Sequence, residues 1–119
     1  MKTMSDTTIW HNPRCTKSRE TLKLLQDEGV EPTVRLYLDD IPSAEELKDV
    51  LARLGFASVR DWMRTKETAY REAGLKDESD EDKLIAAMIE NPKLIERPVV
   101  IRGGKAVLGR PPVRALDLF

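Results

Sequence analysis

Two short apolar runs, Val99-Val100-Ile101-Arg102 and Lys105 to Leu108, flank Gly103-Gly104. This hairpin signal constrains the fold more than any other stretch. A two-residue loop joins antiparallel strands only, and glycine supplies the positive φ that such a turn demands. A lone hairpin is marginal in water and needs a larger sheet to join. Two strand–helix units upstream can supply one. Thr7 to His11 reads as a first strand, ended by Asn12-Pro13 because proline has no N–H for a ladder. A helix follows from about Thr16 to Glu28, with Leu22, Leu25 and Leu24 on its buried side and Gly29 to stop it. Thr33 to Leu38 reads as a second strand, with Val34, Leu36 and Leu38 alternating with polar or amphipathic neighbours.

Ser43-Ala44-Glu45-Glu46 is a capping-box pattern, in which serine hydroxyl and glutamate carboxylate satisfy free amides at a helix start. Leu47, Val50, Leu51 and Leu54 mark one face of that helix, and Gly55 ends it. Residues 56 to 98 read as mostly helical and charged. They hold a Val59 to Arg64 segment, an acidic stretch from Asp77 to Asp82, and an amphipathic helix from about Asp82 to Glu90. Pro111-Pro112 opens a last helix ending near Phe119, with Val113, Leu116 and Leu118 expected to face inward. The order is β-α-β-α, a helical insert, then β-β-α. Parallel strands joined by helices and closed by an antiparallel hairpin predict an α/β, thioredoxin-like sandwich with a mixed sheet. The expectation is one domain over residues 1–119, with the helical insert at about 56–96.

The chain's 119 residues fit one compact domain. Its 20 Lys+Arg against 21 Asp+Glu give a net charge of −1, which argues against bulk nucleic-acid binding. No stretch approaches the roughly 18 apolar residues of a bilayer span, so no membrane partner is expected. Met1 to Thr8 has no apolar run of the kind a signal peptide needs. One cysteine makes no internal disulfide, and no His/Cys cluster has metal-ligand spacing. These features predict a cytoplasmic domain with a reduced thiol, no bound metal and no bound cofactor.

The sharpest signal is His11-Asn12-Pro13-Arg14-Cys15-Thr16-Lys17-Ser18-Arg19, where a strand ends and a helix begins. Backbone N–H groups and partial positive charge at a helix start favour an anion. A cysteine at such a start ionises more readily, and the thiolate is the nucleophile. A first helical turn normally prefers acids, yet Arg14, Lys17 and Arg19 surround this one. A thiolate plus a bound oxyanion would balance them. His11 either tunes the thiol or ends the strand, and Ser18 either hydrogen-bonds the thiolate or caps the helix. Arg14 adds charge beside the sulfur. A lone buried cysteine acting as a small apolar residue is the bland alternative.

Spacing removes two chemistries. A Cys-x5-Arg phosphatase loop would put arginine where Thr21 stands. Cys15-x-x-Ser18 lacks the second cysteine of a dithiol motif, so an oxidised Cys15 must be rescued by an external thiol.

With Leu36-Tyr37-Leu38, Glu96-Arg97-Pro98 and Gly109-Arg110-Pro111, the thiol segment resembles the glutaredoxin-linked arsenate reductase (ArsC) family over nearly the whole chain. The resemblance implies a thioredoxin-like fold with a helical insert. It also implies that Cys15 attacks arsenate to form an arsenic–sulfur adduct. Glutathione as co-substrate, and then glutaredoxin as partner, would reduce that adduct and release arsenite. The family's substrate-binding arginines fall on Arg64, Arg97 and Arg110, its histidine on His11 and its serine on Ser18. Guanidinium groups suit such a site because each can grip two oxygens of a tetrahedral anion and never lose their charge. The resemblance further implies a cis Arg97-Pro98 peptide. Thr16-Lys17-Ser18-Arg19-Glu20 stands where many members have Gly-Thr-Ser-Arg-Asn, and this form looks like a distinct subgroup.

Two other functions compete. One is a redox-responsive regulator resembling Spx, which binds RNA polymerase, although Ser18 removes the Cys-x-x-Cys switch of such proteins. The other is a general glutathione-dependent thiol reductase, for which three arginines on one anion would be superfluous.

Overall fold

The computed structural model describes residues 6–119. Residues 1–5, on which part of the leader-peptide reading rests, lie outside the described residues. The chain divides into two compact units, residues 6–40 with 97–119, and residues 41–96.

The first unit holds β1 (Thr7–Trp10), α1 (Thr16–Asp27), β2 (Thr33–Arg35), β3 (Val99–Arg102) and β4 (Lys105–Leu108). A 3₁₀ segment, Pro112–Leu118, closes it. The sheet order is β2-β1-β3-β4, with β1 parallel to β2 and both other pairings antiparallel. This is the mixed sheet of the thioredoxin-like fold that the element order predicts. Ile9 sits opposite Val100, and Val100 opposite Val107, so one sheet face presents a continuous apolar row. Ile9, Leu25, Val100 and Ala115 form its core, with Leu22, Val30, Val107 and Leu118 packed around them. Between β3 and β4, Gly103 takes φ 58°, the left-handed conformation that the two-residue turn requires.

Two expectations, the second strand and the last helix, need correction in this unit. The second strand stops at Arg35, and its inward residues are one position off. Val34 and Leu36 are exposed, while Arg35 lies over the Trp10 ring and buried Tyr37 stacks on Trp10. A one-residue slip in a period of two turns every side chain to the other face. On α1 the expected Leu25 is buried and Leu22 packs against the core, with Ser18 and Thr21 sharing that buried face and Leu24 half-buried. The last helix is 3₁₀, whose period of three carries Ala115 and Leu118 inward and leaves Val113 57% exposed.

The second unit is helical: α2 (Ala44–Leu54), α3 (Thr68–Glu72) and α4 (Glu81–Glu90), with 3₁₀ turns at Val59–Trp62, Leu75–Asp77 and Pro92–Leu94. The capping box forms as the sequence predicts. Ser43 Oγ accepts from Glu46 N–H at 3.2 Å, and Glu46 Oε1 accepts from Ser43 N–H at 3.0 Å. Gly55, at φ 77°, ends α2. The acidic stretch serves two helix starts: Asp80 accepts from Asp82 N–H at α4, and Glu81 accepts from Val59 N–H and Ser58 Oγ at the start of the Val59–Trp62 turn. Arg60 donates to Tyr70 Oη and to the carbonyls of Leu75 and Glu78. Within this unit Leu47, Trp62, Leu84, Met88 and Leu94 are buried.

Candidate active site

The thiol turn is built by a strand that stops and a helix that starts. Asn12 organises it from both ends of its own residue. Its side-chain Oδ1 accepts from Arg14 N–H at 3.0 Å, and its carbonyl accepts from Cys15 N–H at 3.0 Å. This Asx turn is what an Asn-Pro dipeptide favours. Cys15 is then the N-cap of α1, in extended backbone geometry, with its carbonyl accepting from Arg19 N–H. A side-chain oxygen normally caps this position. Here the cap residue carries sulfur, and its side chain makes no capping hydrogen bond. Cys15 is buried, 8% exposed.

His11 Nδ1 and Ser18 Oγ lie 2.6 Å apart, and Ser18 Oγ also accepts from Asn12 N–H at 3.0 Å. Ser18 thus ties the first turn of α1 to the end of β1. A serine hydroxyl has one hydrogen. If His11 Nδ1 accepts it, none is left for the sulfur; if Nδ1 carries the proton, the Ser18 hydrogen is free to turn elsewhere. Burial, and then the positive charge of Arg19, hold His11 below its ordinary value of 6.5 and favour the neutral ring.

The three cations near the thiol have different employment. Arg19 spans the loop, donating from Nη1 to Pro13 O at 2.8 Å and from Nη2 to Thr16 Oγ1 at 3.3 Å. Lys17 sits 3.7 Å from Glu20 on the exposed helix surface. Arg14 bonds Asn12 through its backbone only, and its exposed side chain lines a cavity of about 380 Å³ with His11, Asn12, Pro13, Leu36, Leu38 and Asp39.

Arg97 and Arg110 each precede a cis proline. The first of these cis bonds is the one that the resemblance implies; the second was not expected. Arg97 is half-buried, with Nε and Nη1 shielded from solvent, whereas Arg110 is exposed. The two dipeptides meet at Gly109, whose N–H donates to Pro98 O at 2.9 Å. Gly109 O in turn accepts from Thr21 Oγ1 of α1 at 3.2 Å. Sequence reading missed Asn12, Thr21 and Gly109. The Asn-Pro turn signal would have given the first; Thr21 drew notice only as a position lacking arginine.

Arg64 belongs to the helical unit. Its backbone N–H donates to Leu94 O at 2.8 Å, and its guanidinium lies 3.6 Å from Glu96 and 3.9 Å from Glu67. Among the described residues no cluster of His, Cys, Asp or Glu has the geometry of a metal site. No described helix is long and apolar enough to cross a membrane.

Residues 10–117 match the ArsC family. The uncharacterized protein YfgD of Escherichia coli K12 is 54% identical over 92% of this chain and 93% of its own length. An arsenate reductase of Neisseria meningitidis is 47% identical, covering 91% of this chain and 93% of that protein. Among solved structures, an arsenate reductase from Vibrio cholerae superposes with a TM-score of 0.94 at 50% identity, over 98% of both chains.

Proposed function

Because the chain belongs to the ArsC family, we propose that it reduces arsenate to arsenite through a covalent adduct on Cys15. The observation that carries this reading is the placing of Cys15 as the N-cap of α1, in the turn that Asn12 organises and that the His11–Ser18 contact ties to the end of β1. Free amides and partial positive charge at the helix start suit both a thiolate and the oxyanion that it attacks. The relatives named as arsenate reductases support the choice of anion.

Electron count fixes what else the reaction needs. Arsenic falls from the +5 to the +3 state, so arsenic acid and two thiols give arsenous acid, a disulfide and water. The Cys15 thiolate displaces an oxygen of arsenate, which leaves as water after protonation, and forms the sulfur–arsenic bond. A second thiol then supplies the other sulfur of the disulfide. The chain has one cysteine, so that thiol comes from another molecule. Glutathione fills this role in our reading, and glutaredoxin returns the resulting mixed disulfide to the thiol. Arg97 and Arg110 bind the oxyanion, with Arg14 adding charge at the thiol turn. Cytoplasmic location, where thiols stay reduced, follows from this chemistry. The Lys17-Ser18-Arg19-Glu20 form of the motif marks a subgroup of the family.

A coupled assay tests the reading. With glutathione, glutaredoxin, glutathione reductase and NADPH, arsenate should drive NADPH oxidation, and Cys15→Ala should abolish it. Activity that survives this substitution rejects Cys15 as nucleophile. Turnover with arsenate that persists without glutaredoxin would remove that partner alone.

A further inference from the structure

Thr21 takes no part in the thiol chemistry above, yet its side chain is wholly buried on α1. It stands six positions after Cys15, one helical turn beyond Ser18 on the same buried face. Its hydroxyl hydrogen is shared between two carbonyls, Lys17 O at 2.8 Å and Gly109 O at 3.2 Å. The first bond is local to the helix. The second crosses 88 positions of sequence to reach the residue between β4 and Arg110.

Gly109 is held from the other side by the bond from its N–H to Pro98 O. There is no spare volume at this junction. A Cβ at residue 109 would stand 2.6 Å from Thr21 Oγ1 and 2.9 Å from both Thr21 Cγ2 and Pro98 Cγ. The helix that carries Cys15, the Arg97-Pro98 dipeptide and the Arg110-Pro111 dipeptide therefore converge on one contact.

We propose that Thr21 is a positioning residue for oxyanion binding, its hydroxyl fixing Gly109 and through it Arg97 and Arg110 relative to the helix bearing Cys15. The proposal rests on the reading of those two arginines as ligands of arsenate. A displaced guanidinium loses the paired geometry that makes it a good ligand for a tetrahedral anion. The Thr21 hydroxyl would act on affinity for the anion and leave the sulfur's intrinsic reactivity alone, since it touches neither.

The test measures alkylation of Cys15 by neutral iodoacetamide in the full chain, alone and against rising arsenate. Thr21→Val keeps the shape and removes the donor, leaving the buried Gly109 carbonyl short of a bond. The arsenate concentration giving half-protection should rise about threefold to tenfold, the worth of one neutral hydrogen bond. Alkylation without arsenate should stay within about twofold of the parent, and Thr21→Ser, which restores the hydroxyl, should restore protection. Half-protection unchanged in Thr21→Val overturns the proposal. So does a Thr21→Ser variant as weak as the valine variant, because restoring the hydroxyl would then not restore protection. Arg97→Ala and Arg110→Ala test the underlying reading separately. If neither weakens protection, the arginine clamp itself is wrong and the positioning role falls with it. Should Thr21→Val not fold, Gly109→Ala disturbs the same junction from the opposite side. Half-protection at the parent concentration in that variant likewise overturns the proposal.

Discussion

His11 Nδ1 and Ser18 Oγ are 2.6 Å apart in a buried contact that joins the end of β1 to the first turn of α1. Ser18 Oγ also accepts from Asn12 N–H, so one hydroxyl satisfies two groups that burial keeps from water. Ser18→Ala removes the partner of both. An orphaned buried polar group loses about 1–3 kcal/mol, and that is the destabilisation expected here, read by urea denaturation. A loss below about 0.5 kcal/mol would mean that water enters and replaces the hydroxyl.

His11 also gives the fold a pH dependence whose sign can be worked out. Burial first, and Arg19 second, lower its folded-state pKa, while the unfolded chain takes its proton near 6.5. Between the two values the unfolded state binds more protons, so stability rises with pH through that window. The contribution is fully present above 6.5 and is lost as pH falls through the folded value. It is the chain's single histidine, so His11→Gln isolates the effect. Unfolding measured at about pH 7.5 and about pH 5.5 should show the parent losing more stability than the variant on acidification. Equal losses would place the acid sensitivity among the carboxylates instead.

The close approach at Gly109 yields a second stability expectation. Gly109→Ala drives a methyl into Thr21 and Pro98, and such overpacking typically destabilises by about 1–3 kcal/mol. Adding Thr21→Ala removes Oγ1 and Cγ2, two of the three atoms in the way, but leaves Pro98 Cγ. The double variant should therefore recover part of the loss, with a favourable coupling energy in the four-variant cycle. Strict additivity would show that the backbone yields elsewhere.

What the sequence made legible follows the strength of local signals. The Gly-Gly turn, the capping box at Ser43 and the glycine stops act within a few residues, and each stands where it was expected. The second strand and the last helix fail for a shared reason. Both are short apolar runs, where neighbours rather than a period of two or 3.6 decide the register. Trp10 draws Arg35 and Tyr37 inward by ring contacts, which leaves Val34 and Leu36 outside. At the C-terminus a 3₁₀ period selects Ala115 over Val113.

The thiol turn was legible because its chemistry is contiguous: a cysteine, a helix start and basic residues inside nine positions. Its supports were not. Thr21 reads as an ordinary helix residue until Gly109, far along the chain, is brought against it. In sequence Arg19 reads as charge awaiting an anion, whereas its guanidinium is bonded to Pro13 O and Thr16 Oγ1 of the adjoining loop. Composition carries no information on such long-range or bidentate pairings, which arise only when the sheet closes.

Arg19 offers the sharpest check on this distinction between charge and scaffold. Its guanidinium donates to Pro13 O and Thr16 Oγ1, and its charge disfavours protonation of His11. Arg19→Gln removes the charge and keeps a shorter donor. Because His11 is the single histidine, its ring titration can be followed by NMR without assignment by mutation. The midpoint should rise, since the cation that opposed protonation is gone. It should still lie below 6.5, because burial is the larger cause and the substitution leaves the ring covered. A midpoint that does not move would show the Arg19 charge to be screened from the ring. One that climbs all the way to 6.5 would show that the loop has opened and admitted water, and Arg19 would then be holding the thiol turn shut.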